Sequence, residues 1–521
     1  MKTLNVVLIK PSKYGRDEYV ERFRRGYLPN ATLQHILSMT PSNIEGVETK
    51  ITAIDEYVHT DLEYLKLLRR NTEGQTLVAL VGVQSHQFHR ALDLAALAVD
   101  NGCLAVLGGP HVMTNNTSML QGTGVSFALS EAENVWPTIL NDAVRGELQP
   151  VYGAAQRWAR KLPEIIVQPP LKSDLRRYLA PIVGLYPARG CPFTCSFCSV
   201  IKIAGRMVRS QSIEATIASL VAAKAAGVRF IIFCSDNFNK YSEVTQLLEA
   251  MISERLGLRF FCQCDVQISR QPELVELLAR AGCFQIFVGV ESFNRKTLLA
   301  AHKAQNHPEQ YRTIAQLCRQ HNIALHCSNI LGFPSDTAQE VLEHLEYLKE
   351  LRPTLASFYI LTPIPGTEQY DDFRSQGLIY ERNLDRFDGT RPTWHHPRLS
   401  PPELIHLFQE CYRRFYTGWH VRDLLGEFER RLAKKNFALA SLAASLSYTL
   451  YARWAAYKEN HPMAGGLWGV KLDHVSEYLA ARKQRFGYVH VPLPASLNLS
   501  AAEQRINNSI NIPLPEPVLQ T

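Results

Sequence analysis

Three cysteines fall within eight residues, in the run Cys191-Pro192-Phe193-Thr194-Cys195-Ser196-Phe197-Cys198, directly after an apolar stretch at 182–188. Iron–sulfur clusters are ordinarily held by four cysteine thiolates, so a compact three-cysteine loop leaves one iron of a four-iron cluster open to a substrate or cofactor. A structural zinc site and three ordinary buried cysteines are the alternatives. Zinc takes four ligands, usually as two separated pairs, and no second C-x2-C pair exists in this sequence. The cysteine spacing therefore favours a cluster with one open iron.

The rest of the composition sets bounds. With 521 residues the chain is expected to form roughly two or three domains, each able to bury its own core. Hydrophobic residues at 46% and charged residues at 20% exclude a largely disordered chain. The net charge of +7 is spread along the sequence and gives no basic patch of the kind nucleic acid requires, so no nucleic-acid partner is expected. The remaining cysteines (Cys103, Cys234, Cys262, Cys264, Cys283, Cys318, Cys327 and Cys411) are scattered, unlike a secreted disulfide framework. The apolar run at 4–9 is too short for a signal peptide and is stopped by Lys10-Pro11, so it reads as a first strand of a cytoplasmic protein.

From residue 1 to 150, strand-like runs at 4–9, 50–54, 77–83, 104–107 and 125–129 alternate with helical patterns such as 88–99, which predicts a doubly wound, Rossmann-like α/β domain. Ligands of such sheets sit outside the carboxyl ends of the strands. Two loops there stand out, Gln84-Ser85-His86-Gln87 and Gly108-Gly109-Pro110-His111, followed by the turn Ser130-Glu131-Ala132-Glu133. Residues 151–180, with Pro163, Pro169 and Pro170, read as a connector. Alternation resumes with strands at 182–188, 229–234, 258–264, 284–290, 323–330 and 356–361, which predicts a partial, six-stranded β/α barrel over 181–385. Active sites of such barrels lie at the carboxyl ends of the strands. The unusual residues fall there: the cysteine loop, Ser235-Asp236-Asn237-Phe238, Asp265, Glu291-Ser292, Gly332-Phe333-Pro334 and Thr362 to Thr367 follow the strands in turn.

These motifs, with Ala188-Arg189-Gly190 before the cysteines and Val288-Gly289-Val290-Glu291-Ser292, resemble the radical S-adenosylmethionine (SAM) superfamily over roughly residues 1 to 400. The two-unit plan resembles its cobalamin-binding members. The resemblance implies that Cys191, Cys195 and Cys198 ligate a [4Fe-4S] cluster whose open iron chelates SAM. It also implies that Phe197 packs near the adenine and that Asp236 and Asn237 hold the methionine amino group. Glu291 would accept hydrogen bonds from SAM's polar groups, or else pair with a barrel arginine. Gly332 and Gly366 would let the backbone approach the adenine. For cobalamin it implies the loops carrying Ser85, Gly108, Gly109 and Glu131. The D-x-H-x-x-G motif that supplies a histidine beneath cobalt elsewhere is absent, the first loop being Lys10-Pro11-Ser12-Lys13, and neither His86 nor His89 is expected to ligate cobalt. A degenerate domain that only supports the barrel is the alternative.

Residues 386–500 read as a mostly helical C-terminal domain and 501–521 as a flexible tail. Arg206 and Arg209 either cover the cluster or cap the loop. In the stretch from Asp385 to His396, Trp394 is a candidate substrate contact and His395 a candidate proton carrier, against a plain polar linker. Residues 437–457 are rich in Ala and Leu but interrupted by Arg453, which leaves a buried helix and peripheral membrane contact both open. The function implied is a cobalamin-dependent C-methyltransferase acting on an unactivated carbon of a small metabolite or lipid, fed by an external electron donor such as flavodoxin or ferredoxin. Radical oxidation, cyclisation or rearrangement without methyl transfer is the alternative.

Overall fold

A computed structural model of the chain describes residues 3–61, 68, 74–155, 158–159, 161–433, 439–457 and 465–487. The expected tail at 501–521 lies outside them. Strand β1 (Thr3–Lys10) reads TLNVVLIK and is buried on almost every position, as a central strand covered on both faces must be. Strand β2 (Tyr19–Gly26) leaves the sheet, and β3 (Asn43–Ile44), β4 (Val47–Asp55), β5 (Gly74–Leu80), β6 (Leu104–Gly108), β7 (Val125–Ala128) and β8 (Val151–Tyr152) complete it. The order is β3-β4-β1-β5-β6-β7-β8, parallel except for the β3 edge. The chain winds to one side of β1 and then to the other, so a crevice opens at the carboxyl ends of the strands. The expected doubly wound fold is observed.

The second sheet begins with β9 (Ile182–Leu185), buried at every position. A two-residue hairpin of β10 (Ala188–Arg189) and β11 (Arg209–Ser210) then closes the cysteine loop at its base. Strands β12 (Phe230–Phe233), β13 (Arg259–Cys264), β14 (Cys283–Glu291), β15 (Ala324–Leu331) and β16 (Leu355–Ile360) follow in chain order, all parallel, giving an open six-stranded barrel segment. Their helices carry ordinary stop and start chemistry. Thr337 and Glu340 form a reciprocal capping box on Ala338–Leu351, and left-handed Gly282 ends Pro272–Ala281.

The open edge at β16 is covered by the helix Pro401–Phe415. Tyr412 Oη bridges the N–H and C=O of Phe358 at 3.0 and 3.1 Å, and Tyr416 Oη does the same for Ala356 at 2.9 and 2.6 Å. Two buried phenols thus satisfy backbone groups that a seventh strand would otherwise pair.

One element was not expected. Strand β17 (Gly466–His474), inside the stretch read as helical, returns to the first unit and pairs antiparallel with β2. Charge fastens it: Glu56, fully buried, takes Arg22 at 2.9 Å and Arg90 at 2.7 Å, and both guanidiniums reach Asp473 on β17. Burial pushes the Glu56 carboxyl up, but Arg90 and Arg22 overcome it and hold the pKa at about 2, below its ordinary 4.5. A depressed acid contributes stability that is complete above its unfolded pKa and lost as pH falls toward the folded one. Glu56→Gln is therefore expected to remove roughly 2–3 kcal/mol of stability at neutral pH and to flatten the loss between about pH 4.5 and 2 in acid-unfolding curves. An unchanged acid limb would refute this role. Among the described residues no helix is long and apolar enough to cross a membrane.

Candidate functional site

The cysteine loop is held at both ends. Gly190 has φ of 108°, and a Cβ there would sit 2.3 Å from the Met207 carbonyl oxygen, so the position takes glycine; its N–H donates to Asp236 Oδ2 at 2.8 Å. Asn237 Nδ2 donates to Cys191 Sγ at 3.0 Å, and Gln305 Nε2 to Cys195 Sγ at 3.4 Å. Arg206 bonds the Pro192 carbonyl, so it caps the loop. All three cysteines are free thiols. Among the described residues no three His, Cys, Asp or Glu side chains converge closely enough for a single metal ion. A four-iron cluster spreads its cysteine ligands over separate corners, and the loop suits that larger group.

Deeper in the barrel, Glu291 ends β14 with φ of 62°, an uncommon conformation for a residue with a side chain. Its partner is Lys303, at 2.8 Å, rather than an arginine. Burial works against the charge on Lys303, but Glu291 and Cys195 more than offset it and hold the pKa above the usual lysine value. The ammonium also lies 5.6 Å from the centroid of the Phe197 ring, which packs edge-on to Phe333 at 6.1 Å. Phe197, Glu291 and Lys303 therefore form one group beside the cysteines. Lys303 was missed by sequence reasoning, since a lysine just past a short helix carries no local signal.

The structure gives several of the expected site residues partners within the protein. Asp236 Oδ2 accepts from the Gly190 N–H, and Asn237 Nδ2 donates to Cys191 Sγ. Gly332 and Gly366 have φ of 80° and 95°, and a Cβ would meet Leu404 at 2.8 Å on the first and Thr114 at 2.5 Å on the second. Trp394 is 1% exposed and donates to the Leu361 carbonyl, as a core residue. His395 is exposed, its ring 4.8 Å from Tyr380. The stretch around Asp385 docks on the first unit, through Asp385 to His89 at 3.1 Å and Asp388 to Lys13 at 2.6 Å.

A half-open cavity of about 440 Å³ lies at the carboxyl ends of β5, β6 and β7. Gly82, Gly108, Gly109, Ser130, Glu131 and Glu133 line it on the first unit. The same unit adds apolar lining from Ile36, Val106, Val135, Trp136 and Ile139. The opposite wall comes from the barrel: Tyr186, Arg189, Cys234 and Asp236. Ser85 does not line it; it is buried and bonded to His111 at 3.0 Å. His86 and His89 also lie off the cavity, and burial depresses the pKa of His86 to about 3.

Gly109 has φ of 134°, and a Cβ there would lie 2.1 Å from the Val83 nitrogen, whereas one on Gly108 would meet only Ala128 at 3.4 Å. The two substitutions should therefore separate folding from binding. Gly109→Ala is expected to cost about 1–3 kcal/mol by strain, read as a lowered melting midpoint. Gly108→Ala is expected to melt like the parent but to weaken retention of a cavity ligand roughly tenfold. Equal melting of both variants would contradict the assignment.

Residues 185–348 match the Radical SAM superfamily. The chain is 26% identical to bacteriochlorophyllide d C-12(1)-methyltransferase of Chlorobaculum tepidum, over 76% of this chain and 90% of that protein. Its fold is similar to that of the radical S-adenosylmethionine methyltransferase TsrM of Kitasatospora setae, with a TM-score of 0.59 at 15% identity over 73% of this chain and 78% of TsrM. It is also similar to that of the cobalamin-dependent S-adenosylmethionine radical enzyme OxsB, with a TM-score of 0.58 at 15% identity over 86% of this chain and 72% of OxsB.

Proposed function

We propose, on the premise that this chain is a radical SAM superfamily enzyme, that it transfers a methyl group from SAM to an unactivated carbon of a small metabolite or lipid, with cobalamin as second cofactor. The observation that carries this reading is the shared cavity. It is lined by the strand ends of the first sheet and by Arg189 and Asp236 of the barrel, which flank and hold Gly190 and hence the cysteine loop. The residues suit both groups: three thiols in one loop for the cluster, and a cavity with apolar lining and two glycines for part of a corrinoid such as its tail.

In this reading residues 1–150 hold cobalamin, with Gly108 and Gly109 admitting it. Residues 181–385 hold the cluster, through Cys191, Cys195 and Cys198, and SAM. Bound there, the cluster supplies the electron for SAM cleavage and cobalamin a carrier for the methyl group. The chain's own residues position and shield. Glu291 offers a carboxylate to an ammonium and Lys303 an ammonium to a carboxylate, which suits the zwitterionic end of SAM. The Phe197, Phe333 and Trp394 cluster keeps water from that side. An external one-electron donor and a cytoplasmic location belong to the same proposal. Relatives and fold neighbours named as methyltransferases support it.

A second reading keeps the radical but not the methyl transfer, so that the radical drives oxidation, cyclisation or rearrangement. Anaerobic turnover of a small-molecule extract with SAM labelled on its methyl group separates the two. A labelled product, with S-adenosylhomocysteine and 5′-deoxyadenosine formed together, is expected. 5′-Deoxyadenosine without a labelled product would favour the second reading.

A further inference from the structure

Two carboxylates stand at the start of the helix Ala132–Arg145, Glu131 as its N-cap and Glu133 in its first turn, and both line the cavity. They are in different states. Glu131 is saturated: Arg209 grips its two oxygens at 2.7 and 2.8 Å, and the Ala159 N–H donates at 2.7 Å. Glu133 is engaged through one oxygen alone. Its Oε1 takes Arg189 at 2.8 Å and His35 at 2.7 Å, while Oε2 has no hydrogen-bond partner although the side chain is 3% exposed.

That lone oxygen belongs to an ionised group. Burial pushes the Glu133 carboxyl up, but Arg189 and His35 reverse the shift and hold it far below the usual carboxylate range. A buried acceptor left unsatisfied costs about 1–3 kcal/mol, and more when charged. Arg189 cannot turn to serve it without leaving Oε1, because its guanidinium is also stacked 4.9 Å over Tyr186. The open valence is therefore a demand for an N–H or O–H donor brought by whatever fills the cavity.

Resting on the cobalamin reading above, we propose that Glu133 Oε2 accepts a hydrogen bond from a primary carboxamide on the rim of the corrin. Cobalamin carries several such neutral amides, each with two N–H donors, and a carboxylate acceptor selects for an amide over an ester or an acid at that position. Glu133 is tied to Arg189, one residue before Gly190 and two before Cys191, so the same contact registers the corrin rim against the cysteine loop.

The test uses the cluster-reconstituted full chain and visible-absorbance titration, with iron and sulfide content as the folding control. Two probes without the nucleotide tail are compared: cobinamide, which keeps its rim amides, and the cobyrinic acid heptamethyl ester, which has none. Glu133→Gln turns an N–H2 toward the ligand in place of an acceptor. It is expected to weaken cobinamide roughly tenfold and to leave the ester within about twofold. Equal weakening of both probes, as a purely structural role would give, overturns the proposal, as does no change in either. Should the variant fail to take up iron and sulfide, the parent decides: equal affinity for the two probes overturns the proposal, and preference for cobinamide upholds it. If the parent retains no hydroxocobalamin at all, the cofactor reading falls and this proposal with it; retention with an indifferent Glu133→Gln removes this proposal alone.

Discussion

Cys195→Ala is expected to lose bound iron and to cut reductive SAM cleavage more than about 100-fold, beyond the 10–100-fold that loss of an outer-shell partner costs a metal site. The reason is the number of ligands. With three thiolates available to a four-iron cluster that ordinarily uses four, removing one leaves two. Asn237→Ala, which removes only the donor to Cys191 Sγ at 3.0 Å, should fall in the milder 10–100-fold range. Cys318→Ala, on the helix Tyr311–Gln320, should keep full iron. Iron and sulfide assays on the three variants check the order, and loss of iron from Cys318→Ala to the same degree as Cys195→Ala would refute it.

Arg209→Ala is expected to destabilise the junction of the two units by about 3–5 kcal/mol, the usual cost of removing one partner from a buried ion pair. Arg209 reaches Glu131 with a two-pronged fork and also bonds the Ala204 carbonyl at 2.7 Å and the Ala159 carbonyl. Its removal leaves the buried Glu131 carboxylate with the Ala159 N–H and with Arg189 no nearer than 3.6 Å, and takes a donor from two carbonyls. For domains of this size the first thermal transition should fall by roughly 10 °C. Arg209→Lys should not rescue it, because an ammonium cannot reproduce the fork. A shift of about 0.5 kcal/mol or less, the scale of a surface substitution, would show that the clasp contributes little.

The barrel was legible because each strand is a short apolar run followed at once by turn residues, and parallel order then follows from right-handed winding. The β2 and β17 pair was hidden. Tyr19–Gly26 reads YVERFRRG, whose charges break the apolar alternation of a half-buried strand, and its partner lies far along the chain at Gly466–His474. Non-local pairing of this kind leaves no periodic trace. At the site, residue types were legible and their partners were not. Glycines at 332 and 366 announced a close approach, and Leu404 and Thr114 are the side chains that a Cβ there would meet. The turn Ser130 to Glu133 stood out in the sequence, yet which of its carboxylates stays open depends on Arg209, brought in from the barrel hairpin. His395 carried the right chemistry for proton transfer and lies on the surface instead.

The central claim, that one cleft joins a three-cysteine cluster loop to a cobalamin cavity, is tested most directly by anaerobic reconstitution with iron, sulfide and hydroxocobalamin, followed by desalting and assay of all three, with Cys191→Ala alongside. The account predicts about four irons and about one cobalamin per chain, and loss of the iron but retention of cobalamin in Cys191→Ala. A full cluster with no retained cobalamin would contradict it and leave the first sheet a scaffold for radical chemistry that uses SAM alone.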